Sequence, residues 1–272
     1  RTHVSVPVLR AWELRYGFPE PGRSPSGHRR YSERDVELIA KIVRERQAGL
    51  SLEAAIDRVR RIDDEVEPSI FAGLRRARPE LDVHVLSKRA MLAISRAIED
   101  ECCARADRPV LLAGFQRERF YRQSEARWRD LAGTAAVAVA FADFPETRLR
   151  SDEGMPHEVA LDREAPFLRE WAIVCDSLGS AACLTGWERP GQGHLADGDR
   201  LFEAVWSVEP AVVRRAAHIG LGLARRHAPD LTGLSDELAD DLPLDGTVAV
   251  RRATALTNRV VAYLEGLQAA GR

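Results

Sequence analysis

Lysine is nearly absent from this 272-residue chain: of 40 basic residues only Lys41 and Lys88 are lysines, and arginine supplies the rest. That bias reflects base composition as much as function. Cysteine is sparse too, with Cys102, Cys103, Cys175 and Cys183 the only four. They have no paired C-x-x-C spacing, which excludes a structural zinc site. The neighbours Cys102 and Cys103 are badly placed to bond each other. All four read as reduced thiols in a cytoplasmic protein. No apolar run approaches the ~20 residues that a membrane helix needs, and no signal-peptide pattern is visible. Catalytic signatures are missing as well. His157, His194, His218 and His227 show no metal-ligand spacing, and no Ser-His-Asp set or carboxylate pair stands out. The chain therefore reads as a non-enzyme with no metal and no evident cofactor.

What is present is a charge split. Residues 1–61 hold 13 Lys+Arg against 8 Asp+Glu, while the remainder holds 27 against 34. A basic head on an acidic body suits a nucleic-acid reader joined to a part that stays off nucleic acid. The length allows two domains. Within the head, Ser5 and Pro7 open a helix, and Gly17, Pro19 and Pro21 close it. Arg10 and Arg15 flank its expected outward side, where a guanidinium can meet guanine O6/N7 or a phosphate. Trp12 and Tyr16 stand four residues apart, and at least one is expected to pack the helix against the loop that follows. That loop, Gly22–Arg30, holds Arg23, His28, Arg29 and Arg30 on a Gly/Pro/Ser framework. A helix that enters a groove beside a basic loop that grips phosphate is the layout of a winged DNA-reading module. Ser32 then caps a helix with Val36, Ile39, Ala40 and Val43 on one stripe. Ser51 caps another with Leu52, Ala55, Ile56 and Val59. The acidic run Asp63–Glu67 and Pro68 end the module, which spans 1–62.

The spaced residues Leu9, Arg10, Trp12, Glu13, Arg15, Tyr16 and Gly17, then Pro21, Arg23, Gly27, Arg29, Tyr31 and Ser32, carry a resemblance. They resemble the winged helix-turn-helix of MerR-type transcription regulators, in the branch that includes cobalamin-dependent light-responsive repressors. The resemblance continues through Ser32–Asp35 and Gly49–Ile56. It implies DNA contacts from Ser5, Arg10, Trp12, Arg15, Arg23, His28, Arg29 and Tyr31, with Arg29 and Tyr31 holding phosphate. It also implies a homodimer on a palindromic promoter. The family's mechanism distorts the promoter spacer so that RNA polymerase engages or is blocked. The first helix of the family's pair has no counterpart, so the chain is expected to begin inside the turn.

Residues 63–83 read as a connector with a short helix. Residues 84–208 mix helices and strands, and 209–272 are helical. Together they make the chain α+β: an all-α winged head, then a mixed α/β domain with C-terminal helices. Ser87 caps a helix with Met91, Ile94, Ser95 and Ile98 on one face. Pro109–Gln116 and Ala135–Phe141 are buried strands. Glu118–Ala132 is a helix with Phe120, Ser124, Trp128 and Leu131 aligned. His157–Leu161 is an edge strand, and Trp171–Asp176 and Ala181–Glu188 are further strands. Helices are expected over Asp199–Trp206, Pro210–Arg226 and Val248–Gln268. The phrase Leu86–Glu101, the strand ending in Gly114–Gln116, and Phe120–Ala132 resemble the DICT sensory domain, which implies a sensor without naming its signal.

Phe115, Phe120 and Trp128, with polar Gln116 and Arg117 at a strand end, are candidates to line a ligand pocket for a small-molecule effector. Asp82-x-His84-x-x-Ser87 resembles a cobalamin-binding histidine motif. Ser replaces its last Gly, and the later glycine motifs are missing, so His84 reads as a surface or cap residue. Gly191-x-Gly193-x-x-x-x-Gly198 has a displaced third glycine and reads as a loop, not a nucleotide site. Val250, Ala253, Thr257, Val260, Leu264 and Leu267 alternate three- and four-residue steps, a seam suited to helix pairing and hence to dimerisation. Two other readings remain open at this point. The second domain could dock a partner protein and bind no ligand, or it could be a nucleotide-binding signalling enzyme localised by its head.

Overall fold

The computed structural model describes residues 2, 4–19, 21–23, 28–56, 58–59, 68–149, 154–177, 180–231 and 246–270, with the backbone alone at 23, 33, 34, 246–249 and 267–270. The head opens with α1 (Val6–Tyr16). Ser5 stands at its N-cap, and Gly17 ends it with φ 59°, donating its N–H to the Glu13 carbonyl. Such a left-handed stop suits glycine, which has no Cβ to clash. β1 (Gly22–Arg23) and β2 (Arg29–Arg30) form a two-stranded wing. α2 (Glu33–Gln47) starts from a reciprocal capping box between Ser32 and Asp35. Residues 52–56 and 58–59 are helical, with Ser51 Oγ accepting from Ala54 N–H. Leu9, Trp12, Phe18, Ile39, Ile42, Ala55, Ile56 and Val59 bury together as the head's core.

The second domain is a seven-stranded sheet between two helical layers. Its elements are α3 (Ile70–Ala77), β3 (His84–Ser87), α4 (Lys88–Glu101), β4 (Val110–Gly114), α5 (Glu118–Ala132), β5 (Val137–Ala142), β6 (His157–Ala160), β7 (Glu170–Asp176), β8 (Ala182–Glu188), β9 (Leu201–Ser207), α6 (Pro210–His227) and α7 (Gly246–Ala270). Strand order is β3-β9-β8-β7-β4-β5-β6. β4, β5 and β6 run parallel, whereas β7 runs antiparallel to β4 and leads into the antiparallel β7-β8-β9-β3 half.

Period-two alternation sends large and small residues to opposite faces. On one face Val110, Leu112, Val139 and Phe141 meet α3 and α6. There Gly220 lets α6 approach the sheet closely, since a Cβ would lie 2.5 Å from Leu112 Cδ1 and that side chain would have to shift. On the other face Ala113, Ala138, Ala140 and Ala142 leave room for α4, α5 and the middle of α7.

Several expectations change. Leu201–Ser207 is a strand, not a helix: Phe202 and Ala204 turn to the α4 layer and Val205 to the α6 layer. Its ladders to β3 and β8 leave no place for a helix. His84–Ser87, read only as a lead-in to a cap, forms an edge strand in which His84 pairs with Ala204. The connector helix Ile70–Ala77 is an integral part of the domain, because Ile70 and Leu74 are fully buried in its core. The acidic run Asp63–Glu67 lies outside the described residues.

Candidate functional site

The head presents one solvent-facing side of α1. Pro7, Arg10, Ala11 and Leu14 recur at helical spacing and are all exposed, Leu14 at 91%. Val6 and Val8 are exposed beside them. The sequence reading missed Leu14. Its signal was an apolar side chain four residues after Arg10, on the face opposite Leu9 and Trp12. Arg15 is exposed and stacks its guanidinium over Tyr16 at 5.4 Å. Ser5 is exposed and makes no side-chain capping bond. Trp12 departs from its expected role at DNA: it is 5% exposed and belongs to the head's core, because its position faces α2 and the helix beyond.

The wing is tied to the helix. Arg29 Nε donates to Glu13 Oε2 at 2.6 Å and Nη2 to Oε1 at 3.2 Å. This fork braces β2 against α1, and the bond to Glu13 holds the Arg29 pKa above its ordinary value. Tyr31 packs on the head core with its hydroxyl buried, and burial raises its pKa. His28 and Arg30 are exposed on the wing, so Arg30 is a basic group free to face outward. The side chain of Arg23 lies outside the described residues.

The second domain holds a cavity of about 470 Å³ at the carboxyl end of β4, between α4 and α5. Phe115, Gln116, Phe120 and Trp128 line it, joined by Trp171 and by Ser95, a residue expected only on a buried helix face. Arg117 lies outside it. Arg117 lines an adjoining cavity of about 450 Å³ that shares Gln116, Phe120 and Asp197 with the first, and it pairs with Asp143 at 3.1 Å. β4 has a parallel neighbour on one side and an antiparallel one on the other, which opens a crevice at its end. Gln116 has φ 62°, and Arg117 N–H donates to the Phe115 carbonyl across it at 2.6 Å. A non-glycine residue held there is strained, a feature that collects at ligand clamps.

Strand β7 joins this cavity to the start of the domain. Trp171 faces the cavity, its Nε1 donating to Ser95 Oγ at 2.9 Å. The adjacent Glu170 faces the opposite layer and is fully buried. It accepts from Ser69 Oγ at 2.6 Å, from Phe71 N–H at 2.9 Å and from Thr185 Oγ1. Ser69 in turn caps α3 through Ala72 N–H.

The last helix is not a free seam. Val260, with Leu256, is buried against its own chain, and Leu264 packs partly there. Arg259 bonds Glu101, and Tyr263 Oη donates to Asp100. Val250 is 67% exposed and, with Ala253, borders a separate cleft of about 390 Å³. Thr257 is exposed, and the side chain of Leu267 lies outside the described residues. All four cysteines are free and buried, with burial lifting the Cys102 and Cys183 pKa values to about 12. Among the described residues no helix is long and apolar enough to cross a membrane.

Comparison with known proteins follows the same division. Residues 1–61 match the MerR HTH family regulatory protein model, and residues 68–189 match the DICT model, a sensory domain in diguanylate cyclases and two-component systems. The HTH-type transcriptional repressor CarH of Myxococcus xanthus is 30% identical over 98 residues, covering 35% of this chain and 32% of that protein. The repressor CarA of the same organism is 43% identical over 61 residues, covering 22% of this chain and 21% of its own. The chain thus spans about a third of one relative and a fifth of the other. It joins a MerR-type helix-turn-helix domain at residues 1–61 to a DICT sensory domain at residues 68–189.

Proposed function

We propose that this chain is a homodimeric, sequence-specific DNA-binding transcription regulator of the cytoplasm, whose second domain senses a signal and modulates promoter binding. The observation that carries it is the exposed α1 face, where Arg10 sits beside Ala11 and Leu14 next to a braced wing. An arginine can read guanine in the major groove, and the apolar neighbours suit thymine methyls. The basic head supplies the phosphate attraction. The two relatives are named transcriptional repressors, which supports regulation and not catalysis. RNA polymerase at the bound promoter is the partner on which regulation acts. For the sensory part, β7 supports the reading. It places Trp171 at the cavity and Glu170 at the capped start of α3 on successive residues.

The test is a binding series on a palindromic operator selected from random duplexes. Arg10→Ala is expected to relax preference at one base position and cost ~1–3 kcal/mol there. Arg30→Ala is expected to weaken all sequences alike and flatten the salt dependence by ~1 unit of slope. A uniform loss for Arg10→Ala would sink its role in base reading. Light scattering that finds only monomers, on and off the operator, would remove the dimer.

A further inference from the structure

We infer that the β4 crevice of the second domain binds a planar aromatic anion, its ring in the slot between α4 and α5 and its anionic group on the arginine rim. This deepens the sensory reading above and names the ligand's class.

The slot selects a flat ring. Phe115, Phe120, Trp128 and Trp171 supply four aromatic walls around about 470 Å³, a volume that suits a molecule of cofactor size. The walls are rigid. Phe115 meets Trp128 edge-on at 5.5 Å, and Trp171 meets Phe202 at 5.9 Å. The indole nitrogens are already spent on Ser95 and Glu99, so the rings offer faces and not donors. The free polar groups are Gln116, Gln123 and Ser124. All three line the slot, and none makes a side-chain hydrogen bond among the described residues. An aliphatic tail would strip them of water with nothing in return. Ring nitrogens and carbonyls in one plane would satisfy them.

The rim selects an anion. The adjoining cavity is lined by Arg117, Arg119, Arg169 and Arg200 against Glu188 and Asp197. Arg200 pairs with both carboxylates, Lys88 adds to Asp197, and Arg117 is held by Asp143. Arg119 and Arg169 have no carboxylate partner among the described residues. Each lies over an aromatic ring, Arg119 over Phe120 at 4.8 Å and Arg169 over Trp187 at 5.3 Å. Stacked guanidiniums keep their edges open for an oxyanion. Phe120 stands in the wall that the two cavities share, so one molecule can reach both.

The full-length chain tests this by isothermal titration calorimetry with three probes: flavin mononucleotide, riboflavin and indole-3-acetate. Flavin mononucleotide or indole-3-acetate is expected to saturate, and the tighter of the two tells phosphate from carboxylate. Riboflavin, which lacks the anion, is expected to bind at least tenfold more weakly than flavin mononucleotide. Arg119→Ala with Arg169→Ala, both on exposed positions, should erase that difference and leave riboflavin unchanged. Ser124→Trp, checked for fold by circular dichroism, should fill the slot and abolish all binding. Overturning results are saturation by none of the three, riboflavin binding as tightly as both anions, or unaltered binding by a folded Ser124→Trp. Operator affinity is measured with and without the bound probe. If the probe binds the slot and operator affinity does not move, the site stands and the sensory reading falls.

Discussion

Glu170 is the residue whose loss the structure prices most directly. Its carboxylate is fully buried and receives three donors: the Ser69 hydroxyl, the Phe71 N–H and the Thr185 hydroxyl. Ser69 and Thr185 are themselves at most 2% exposed, so neither hydroxyl can turn to water instead. Glu170→Ala would strand all three. Each stranded buried donor costs ~1–3 kcal/mol, so the two hydroxyls alone set a lower bound of about 2 kcal/mol. Glu170→Gln keeps the shape and one acceptor oxygen, and rotating hydroxyls can adapt to it, so about 1–2 kcal/mol is expected. Against a domain stability of ~5–15 kcal/mol the alanine variant is a severe lesion. The assay is urea unfolding followed by tryptophan fluorescence in a Trp12→Phe background, so that the other four tryptophans report on the second domain alone. A shift under ~1 kcal/mol for Glu170→Ala at unchanged slope would refute the claim that this network pins α3 to the sheet.

Other outcomes follow from the same reasoning. Trp12→Ala should unfold the head, at a cost of ~3–5 kcal/mol, and abolish DNA binding, whereas Leu14→Ala should leave head stability within ~0.5 kcal/mol and alter only operator preference; thermal melts and anisotropy separate the two. Burial lowers the pKa of His157 and His227 below the ordinary 6.5. The unfolded chain therefore binds protons first as pH falls through 6.5, and stability is full above that pH and declines below it. His157→Gln should flatten this decline between pH 7 and the lowered value, and an unchanged slope in urea midpoints would exclude His157 as a source.

Much of the local structure was legible because its causes are local. Ser32, Ser51 and Ser87 each cap the helix that their position announced. Glu118–Ala132 begins and ends where its acidic start and Gly133 place it. The apolar runs of β4 and β5 are buried along their length, as strands inside a sheet must be. Leu201–Ser207 was not legible. Seven residues hold too few apolar positions to separate a half-turned helix from a strand, and its edge partner β3 comes from distant sequence.

The candidate sites divide along the same line. Composition and spacing alone placed a basic, winged head before an acidic α/β body, and set Phe115, Gln116, Phe120 and Trp128 around one strand end, because periodicity and capping act within a few residues. Tertiary structure decided which way each side chain turned. It buried Trp12, exposed Leu14 and bound Arg29 to Glu13, 16 residues away. It brought Lys88, Trp171 and Asp197 to the same cavity, and carried Ser69 to Glu170 across 101 residues. It also turned Val260 inward, where a seam had been expected to face a second copy. Such pairings depend on strand order and on which face a helix covers, and no short-range pattern encodes either.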